Sequence, residues 1–146
     1  MEGLTACPAT WADLDFLFRL RNDPETVASS RIQRPVKRAE HDTWLAQSLI
    51  DPTRQLMIVV PETIPGDFKL GIRASPVGVY RLDGIGGECI EVSLTVAPEC
   101  RGRGYMHRIV RFASEHAVRE GAQVVRAVVR GENSASLVVF LKAGFS

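Results

Sequence analysis

Hydrophobic and polar residues alternate with two periods along the chain, and the two patterns predict strands and helices in turn. Apolar residues at every second position are typical of a strand, and apolar residues three or four positions apart are typical of a helix. Their alternation predicts one α/β domain over residues 1–146, with part of its sheet parallel. Strands are predicted over residues 4–7, 56–60, 77–82, 89–96 and 124–129, and helices over 40–50, 104–120 and 134–143.

Short polar motifs predict where helices begin and end. Thr10 and Asp13 have the spacing of a capping box that opens a further, early helix, and the pair at 23–24 is expected to end it. Gly121 follows the most strongly patterned helix, and Asn133 is a candidate N-cap for the last one. The stretch 61–75 contains prolines and glycines and is too long for an ordinary connector, so it is expected to be a functional flap or a mobile loop.

The segment 89–96 shows the clearest strand alternation. Its even-numbered positions from Val92 to Val96 are apolar and are predicted to face the core. The positions between them are predicted to form a semi-polar face of Glu91, Ser93 and Thr95. A side chain with chemistry to perform is therefore expected on this second face.

Composition and charge exclude several classes of protein. The chain has 146 residues, of which 45% are hydrophobic and 24% charged, with a net charge of +1. These values exclude a disordered chain and give no general attraction to nucleic acid or to a membrane. No apolar run is long enough to span a bilayer, and the three cysteines include no C-x-x-C pair. A cytoplasmic protein with free thiols and no metal site is expected.

The residues Arg101-Gly102-Arg103-Gly104-Tyr105-Met106 stand between a predicted strand and a predicted helix. Backbone N–H groups at a helix N-terminus attract phosphate, and glycines let the backbone approach it closely. The spacing fits neither a dinucleotide fingerprint nor a P-loop. The alternative interpretation is a turn whose glycines only relieve backbone strain. Cys100 adjoins these arginines, and its pKa is expected to be lowered.

This stretch resembles the acetyl-CoA site of the GNAT acetyltransferase superfamily, which follows the pattern Q/R-x-x-G-x-G/A, except that Met106 replaces the usual small residue. Three further segments occur in the same order as in the family: the strand 91–98, the segment 133–140 and the closing segment 140–145. The resemblance implies a mixed sheet with helices on both faces. The final strand of relatives is expected to be absent here, either because it is missing or because another chain supplies it in a homodimer.

The resemblance implies transfer of an acetyl group from acetyl-CoA to a small-molecule amine by direct attack. The backbone of residues 101–106 would hold the diphosphate, and the exposed backbone near Thr95 and Val96 would pair with the pantetheine arm. The N–H of Val96 would stabilise the thioester oxygen. Asn133 and Ser136 match family positions that contact the pantetheine from the other side.

An alkyl amine has a pKa of about 10.4, so some group must accept its proton near neutral pH. Glu91 is the candidate base, because it matches a position where some members keep a catalytic carboxylate; the alternative is a strand glutamate paired with a neighbouring cation. Glu88 is the fallback. Among the histidines, His107 and His116 are expected to face solvent, and His41 is a further candidate site residue.

Many relatives have a tyrosine where this chain has Phe140, and that phenol protonates the departing sulfur. The missing phenol is expected to slow the reaction without abolishing it, because a thiol is already a tolerable leaving group. It also leaves open a different class of function, a non-catalytic acyl-CoA sensor or interaction module.

Four cations lie in eight residues without an acid, in the segment that forms the acceptor lip in relatives. They are Arg31, Arg34, Lys37 and Arg38. Such a run is either a solvated loop or a site for an anionic acceptor such as a nucleotide-linked amino sugar. The residues 19–25 and 43–45 look like members that acetylate amino sugars in nonulosonic-acid pathways, and ribosomal-protein N-terminal acetyltransferases share much of this pattern. The amino sugar is the first expectation, with a protein N-terminus or a small amine as alternatives.

Overall fold

The computed structural model describes residues 3–29, 34–62, 75–130 and 137–142. These residues form one six-stranded sheet with helices on both of its faces. The strands are β1 (Leu4–Pro8), β2 (Arg54–Pro61), β3 (Gly78–Asp83), β4 (Cys89–Val96), β5 (Val124–Arg130) and β6 (Leu137–Lys142). The helices are α1 (Leu14–Arg21), α2 (Pro24–Ser29), α3 (Arg38–Ile50) and α4 (Tyr105–Arg119).

The strands follow one another across the sheet in chain order, from β1 to β6. Every neighbouring pair is antiparallel except β4 and β5, which are parallel. A parallel pair needs a long crossover connection, and α4 supplies it. The predicted α/β class, with a mixed sheet that is only partly parallel, is confirmed.

Side chains pack on both faces of the sheet. On one face, Ile109, Ala113 and Ala117 of α4 pack against the apolar side chains of β3, β4 and β5. On the other face, Leu17 of α1 and Leu45 of α3 pack against β2. The helical stripe predicted for 104–120 is therefore the buried side of α4, and the two faces have separate cores.

The predicted capping box at the start of the first helix is confirmed. The N–H of Ala12 donates to Oγ1 of Thr10 at 3.2 Å, and the N–H of Thr10 donates to Oδ2 of Asp13 at 2.9 Å. A short 3-10 turn, Trp11–Asp13, leads into α1.

The predicted end of the first helix at Asp23–Pro24 is confirmed, since α1 ends at Arg21, but Pro24 also begins a second helix, α2, which was not predicted. Proline lacks an N–H that the first turn of a helix does not need, so it can open a helix as well as follow one. The N–H of Thr26 donates to the Asp23 carboxylate at 3.3 Å and supports this second start.

The helix predicted over 134–143 is wrong for its larger part, because residues 137–142 form β6. This segment is a short apolar run, and such a run does not distinguish a buried helix from a strand by its periodicity. β6 pairs antiparallel with β5, from Val124↔Lys142 to Val129↔Leu137, and covers the edge that β5 would otherwise expose. Residues 63–74, most of the predicted flap or loop, lie outside the described residues.

Candidate functional site

A cavity of about 460 Å³ lies between α1, α2 and α3 and the sheet face that they cover. Leu17, Leu20 and Trp44 contribute apolar wall from the helices, and Leu56 and Val79 contribute it from the sheet. The charged residues in the wall come in both signs: Arg21, Glu40, Arg81 and Glu91. The cavity thus combines an apolar wall with a small number of polar groups, which is the usual make-up of a small-molecule site.

β4 supplies the polar part of the cavity through its alternation. Glu91, Ser93 and Thr95 line the cavity, whereas Ile90, Val92, Leu94 and Val96 are in the core on the α4 face. The two-residue period of a strand sends these sets to opposite faces. The semi-polar face predicted from the sequence is confirmed.

Glu91, the candidate base, lies opposite Arg126 in the β4–β5 register. Nη1 of Arg126 donates to Oε2 of Glu91 at 2.7 Å. The Glu91 side chain is 27% exposed, so the carboxylate is still accessible from the cavity. The structure therefore contains the cation pair that was the alternative interpretation, and it also places Glu91 in the cavity wall. Glu88, the fallback base, is exposed and does not line the cavity.

The turn that leads into α4 has the backbone geometry of an anion site. Gly102 and Gly104 have φ angles of +78° and +79°, and a Cβ added at either would meet nothing within 4 Å. Gly104 is the N-cap residue, and no side chain caps this helix end. Among the described residues, no hydrogen bond uses the N–H groups of 102–106. These donors therefore remain available at the positive end of the helix dipole.

The side chains of Tyr105 and Met106 pack against the core on the α4 face. The replacement of a small residue by Met106 therefore leaves the space around Gly102 and Gly104 open. The guanidinium of Arg108 lies 5.7 Å from the centre of the Tyr105 ring. Arg103 is exposed beside the turn.

The Arg101 side chain anchors the turn. Its Nη2 donates to Oδ2 of Asp23 at 2.7 Å, and the two side chains are only 16% and 12% exposed. Burial alone would raise the pKa of Asp23, but hydrogen bonds from Arg101 and Thr26 outweigh it and lower the pKa. Arg101 therefore joins the turn to the start of α2 through a bridge that is remote in sequence.

The predicted lowering of the Cys100 pKa is wrong. Burial raises the pKa of this thiol, and the neighbouring Glu99 raises it further; Arg103 and Arg19 oppose this with smaller effects. The arginines were visible in the sequence, but the burial of Cys100 was not.

The β4 edge is less open than predicted. The parallel ladder with β5 continues to Thr95↔Arg130, so the backbone at Thr95 is already beside β5. The N–H of Ala97 donates to Val77 on the β3 side. Since backbone groups alternate along a strand, the N–H of Val96 faces the β5 side, at the end of the ladder. Asn133 and Ser136, the other predicted pantetheine contacts, lie outside the described residues.

The cations of the predicted acceptor lip are largely paired. The guanidinium of Arg34 forms two hydrogen bonds with Glu40, at 2.9 and 3.1 Å, and these bonds lower the pKa of Glu40 to about 2. Arg38 pairs with Asp15 at 2.7 Å and with Asp42 at 3.3 Å. Lys37 is exposed, and Arg31 lies outside the described residues.

The histidines differ from one another in burial. His41 is buried in the cavity wall, where its ring stacks with Trp44 at 5.2 Å and burial lowers its pKa. His107 is exposed, as predicted.

His116 was predicted to face solvent, which is wrong, because it is buried. Its Nδ1 lies 2.7 Å from the hydroxyl of Tyr80. A signal for this burial was present in the sequence, since His116 lies seven residues after Ile109 and three after Ala113, on the apolar stripe of the helix.

Within the described ranges, no cluster of His, Cys, Asp or Glu has the arrangement of a metal site. None of the helices in the described part of the chain has the length and apolar character needed to cross a membrane.

Comparison with known proteins places this geometry in a family. A family model described as an acetyltransferase (GNAT) domain matches residues 4–146. No curated protein sequence has a significant match to the chain.

Solved structures match across most of the chain. A spermidine N-acetyltransferase from Vibrio cholerae, in complex with CoA and spermine, has a TM-score of 0.69 at 18% identity, with 86% of this chain and 70% of that chain covered. A domain from Methanocaldococcus jannaschii DSM 2661 has a TM-score of 0.71 at 17% identity, with 88% and 78% covered. A dodecameric structure of the Vibrio cholerae enzyme in an intermediate state has a TM-score of 0.65 at 18% identity, with 86% and 69% covered. At these identities the likeness shows a shared fold.

Proposed function

The chain belongs to the GNAT acetyltransferase family, whose N-acetyltransferases use acetyl-CoA as donor, and on that premise we propose that it acetylates a small primary amine held in the cavity. One observation carries the proposal. β4 forms the polar part of the cavity wall through Glu91, Ser93 and Thr95, and the chain then continues through the turn Pro98–Cys100 into the anion site. Acceptor and donor would therefore meet along one continuous segment.

The donor site is the turn at the start of α4. This turn suits the diphosphate of coenzyme A for three reasons. The N–H groups of 102–106 are available, the space around Gly102 and Gly104 is open, and the helix dipole is positive at this end. Arg101 contributes by holding the turn against α2 rather than by donating a free guanidinium. Val96, at the end of the β4–β5 ladder, is the proposed donor to the thioester oxygen.

The reaction needs a group that takes a proton from the attacking amine. Glu91 is the proposed group, because its carboxylate lines the cavity and Arg126 is hydrogen-bonded to Oε2, which leaves Oε1 for the amine or for a bridging water. The amine nitrogen then bonds to the acetyl carbon as the bond to sulfur breaks. The sulfur can leave as thiolate, since a thiol has a pKa of only about 8.5.

A small amine is the first candidate for the acceptor, because the cations of the predicted acceptor lip are paired. Arg34 and Arg38 form ion pairs with acidic side chains, so they give less attraction to a diphosphate than the sequence suggested. The Vibrio cholerae neighbour, described as a complex with CoA and spermine, supports a small amine. A nucleotide-linked amino sugar is the second candidate, favoured by the exposed Lys37 beside Val36, which lines the cavity.

The test is release of free thiol from acetyl-CoA with a panel that contains small amines, a nucleotide-linked amino sugar and a peptide with a free N-terminus. We expect release with small amines and a fall in kcat of about 100-fold or more in Glu91→Gln. Glu88→Gln is the matched control and should leave kcat unchanged. Measurable binding of acetyl-CoA without thiol release from any amine would refute the proposal.

The donor site has its own pair of variants. Gly104 and Gly121 both have positive φ angles and open space around a new Cβ, but they lie at opposite ends of α4. Gly104→Leu should raise the Kd for acetyl-CoA at least tenfold, whereas Gly121→Leu imposes similar backbone strain and should not change it. Equal Kd values for both variants and the parent protein would contradict the assignment of the turn.

The second candidate acceptor is tested at the lip. Replacing Lys37 by alanine should leave the KM for a small amine unchanged if the acceptor is a small amine; Arg34 is kept, because its removal would unpair Glu40, which lines the cavity. A rise in KM restricted to the nucleotide-linked amino sugar, together with efficient turnover of that compound, would favour the second candidate. The homodimer and the cytoplasmic location stay predictions; light scattering tests the first of them.

A further inference from the structure

Among the uncharged side chains of the cavity wall, two buried polar atoms have no hydrogen-bond partner within the described residues. They are Oγ of Ser93 and Nε2 of His41. Ser93 is 9% exposed and His41 is 2% exposed, and both residues line the cavity. Buried polar atoms are nearly always paired, so two such atoms at one cavity indicate a ligand that completes them.

The two atoms belong to different walls. Ser93 lies on β4 between Glu91 and Thr95, on the face that carries the proposed base. His41 lies on α3, stacked on Trp44 and tilted against Phe18 at 5.3 Å. Because burial lowers the pKa of His41, the ring is neutral at pH 7. Its Nε2 can then donate or accept a hydrogen bond, according to the tautomer, without adding charge. A molecule that spans the cavity would meet one polar atom on the strand and one on the helix.

The charges in the wall disfavour a molecule with several positive groups. Both carboxylates that line the cavity are already paired, Glu40 with Arg34 and Glu91 with Arg126. The wall also contains Arg21 and Arg81, and Arg81 is paired with Asp83 at 2.7 Å. A polyamine needs acidic partners at several places along its length, and the two carboxylates of this wall are already engaged by arginines.

The remaining wall is apolar. Leu17, Leu20, Val36 and Trp44 line the helical side of the cavity, and Leu56 and Val79 line the sheet beneath them. Such a surface gains free energy by burying an aromatic ring or a branched alkyl group. We infer that the acceptor is a primary monoamine with an apolar body, held with its nitrogen near Ser93 and its body between Trp44 and the sheet. This inference rests on the proposed function and narrows it to one class of amine.

The experiment compares kcat/KM for 2-phenylethylamine, 3-methylbutylamine, ethanolamine and spermidine. The two amines with apolar bodies should exceed spermidine and ethanolamine at least tenfold. Equal or higher kcat/KM for spermidine would overturn the inference while leaving acetylation of a small amine intact. Absence of thiol release with all four, despite acetyl-CoA binding, would overturn the proposed function and this inference together.

Two serines provide a matched test of the polar contact. Ser114 on α4 also has a buried Oγ without a partner among the described residues, but it lies on the opposite face and does not line the cavity. Ser93→Ala should raise the KM for 2-phenylethylamine about fivefold to tenfold and leave the KM for acetyl-CoA unchanged, whereas Ser114→Ala should change neither value. The unfolding midpoints of both variants, measured alongside, control for loss of folding. Equal KM values in the parent and in Ser93→Ala would overturn the role of Ser93.

Discussion

The two faces of the sheet are built differently although the same strands form both. On the α4 face, Ile109, Ala113 and Ala117 fill the space above the strands, and the core is continuous from β2 to β5. On the other face, α1 and α3 pack mainly against β2, and a cavity remains beside β3 and β4. A strand can therefore stabilise the fold with one set of side chains and line a cavity with the set between them.

The largest expected effect is on the closely packed face. Ile109→Ala should lower the free energy of unfolding by about 2–5 kcal/mol, because it leaves a cavity in a core that cannot collapse around it. The measurement is the urea midpoint. Ile50→Ala is the control, since Ile50 is 83% exposed on α3 and its truncation should change stability by no more than about 0.5 kcal/mol. Equal losses in both variants would contradict the comparison.

The next largest effect is at the ion pair of Arg101 and Asp23, which joins the turn before α4 to the start of α2. Asp23→Asn should cost about 1.5–3 kcal/mol at pH 7, because it removes the negative charge from a nearly buried hydrogen bond between charged groups. The folded-state pKa of Asp23 is lowered, so the unfolded chain binds more protons as the pH falls. The stabilisation is present above the unfolded pKa of about 3.9 and is lost below it.

The direction of this pKa shift allows a second measurement on the same variant. Urea midpoints at pH 7 and pH 3.5 should differ more in the parent protein than in Asp23→Asn, since the variant has no carboxylate to protonate at this position. A variant with the same pH dependence as the parent would show that Arg101 and Asp23 do not interact in solution.

The sequence predicted what depends on local spacing. The alternation of β4, the helix α4 and the turn with Gly102 and Gly104 are all readable from neighbouring residues, because strand period, helix period and glycine placement are local properties. The bridge between Arg101 and Asp23 is not, since the two residues are far apart in the chain and meet only through the sheet topology. The strand at 137–142 was missed for another reason: only its pairing with β5 distinguishes it from a helix.

A third prediction concerns the pair of Tyr80 and His116 beneath the packed face. Burial raises the pKa of Tyr80 to about 12, so its hydroxyl keeps its proton, and it shares a hydrogen bond of 2.7 Å with Nδ1 of His116. Tyr80→Phe should cost about 1 kcal/mol through loss of this bond. The urea midpoint at pH 7.5 measures this loss.

His116 also gives this face a pH dependence. Burial lowers its pKa, so stability is complete above the unfolded value of about 6.5 and falls as the pH drops below it. His116→Gln should reduce the change of the urea midpoint between pH 7.5 and pH 5.5, and the part due to His41, whose pKa is also lowered by burial, should remain. His107→Gln, on the exposed side of the same helix, is the control and should keep the slope of the parent. A parental slope in His116→Gln would assign the titration to another group.

The smallest expected effect on stability is at a surface ion pair between α1 and the turn that follows β4. The guanidinium of Arg19 on α1 forms two hydrogen bonds with Glu99, in the turn that follows β4, at 2.9 and 3.0 Å. The side chains of the Asp23 bridge are nearly buried, whereas both side chains of this pair are about half exposed. Water already solvates these charges, so pairing them gains little free energy.

A double-mutant cycle with Arg19→Met and Glu99→Gln should therefore give a coupling energy below about 1 kcal/mol, and 1 M salt should reduce it further. The Arg19–Glu99 and Arg101–Asp23 pairs then differ mainly in burial, since their hydrogen bonds are all between 2.7 and 3.0 Å long. A coupling energy for Arg19 and Glu99 that matches the cost of Asp23→Asn would show that geometry, rather than exclusion of water, sets the strength of the bridges around the anion site.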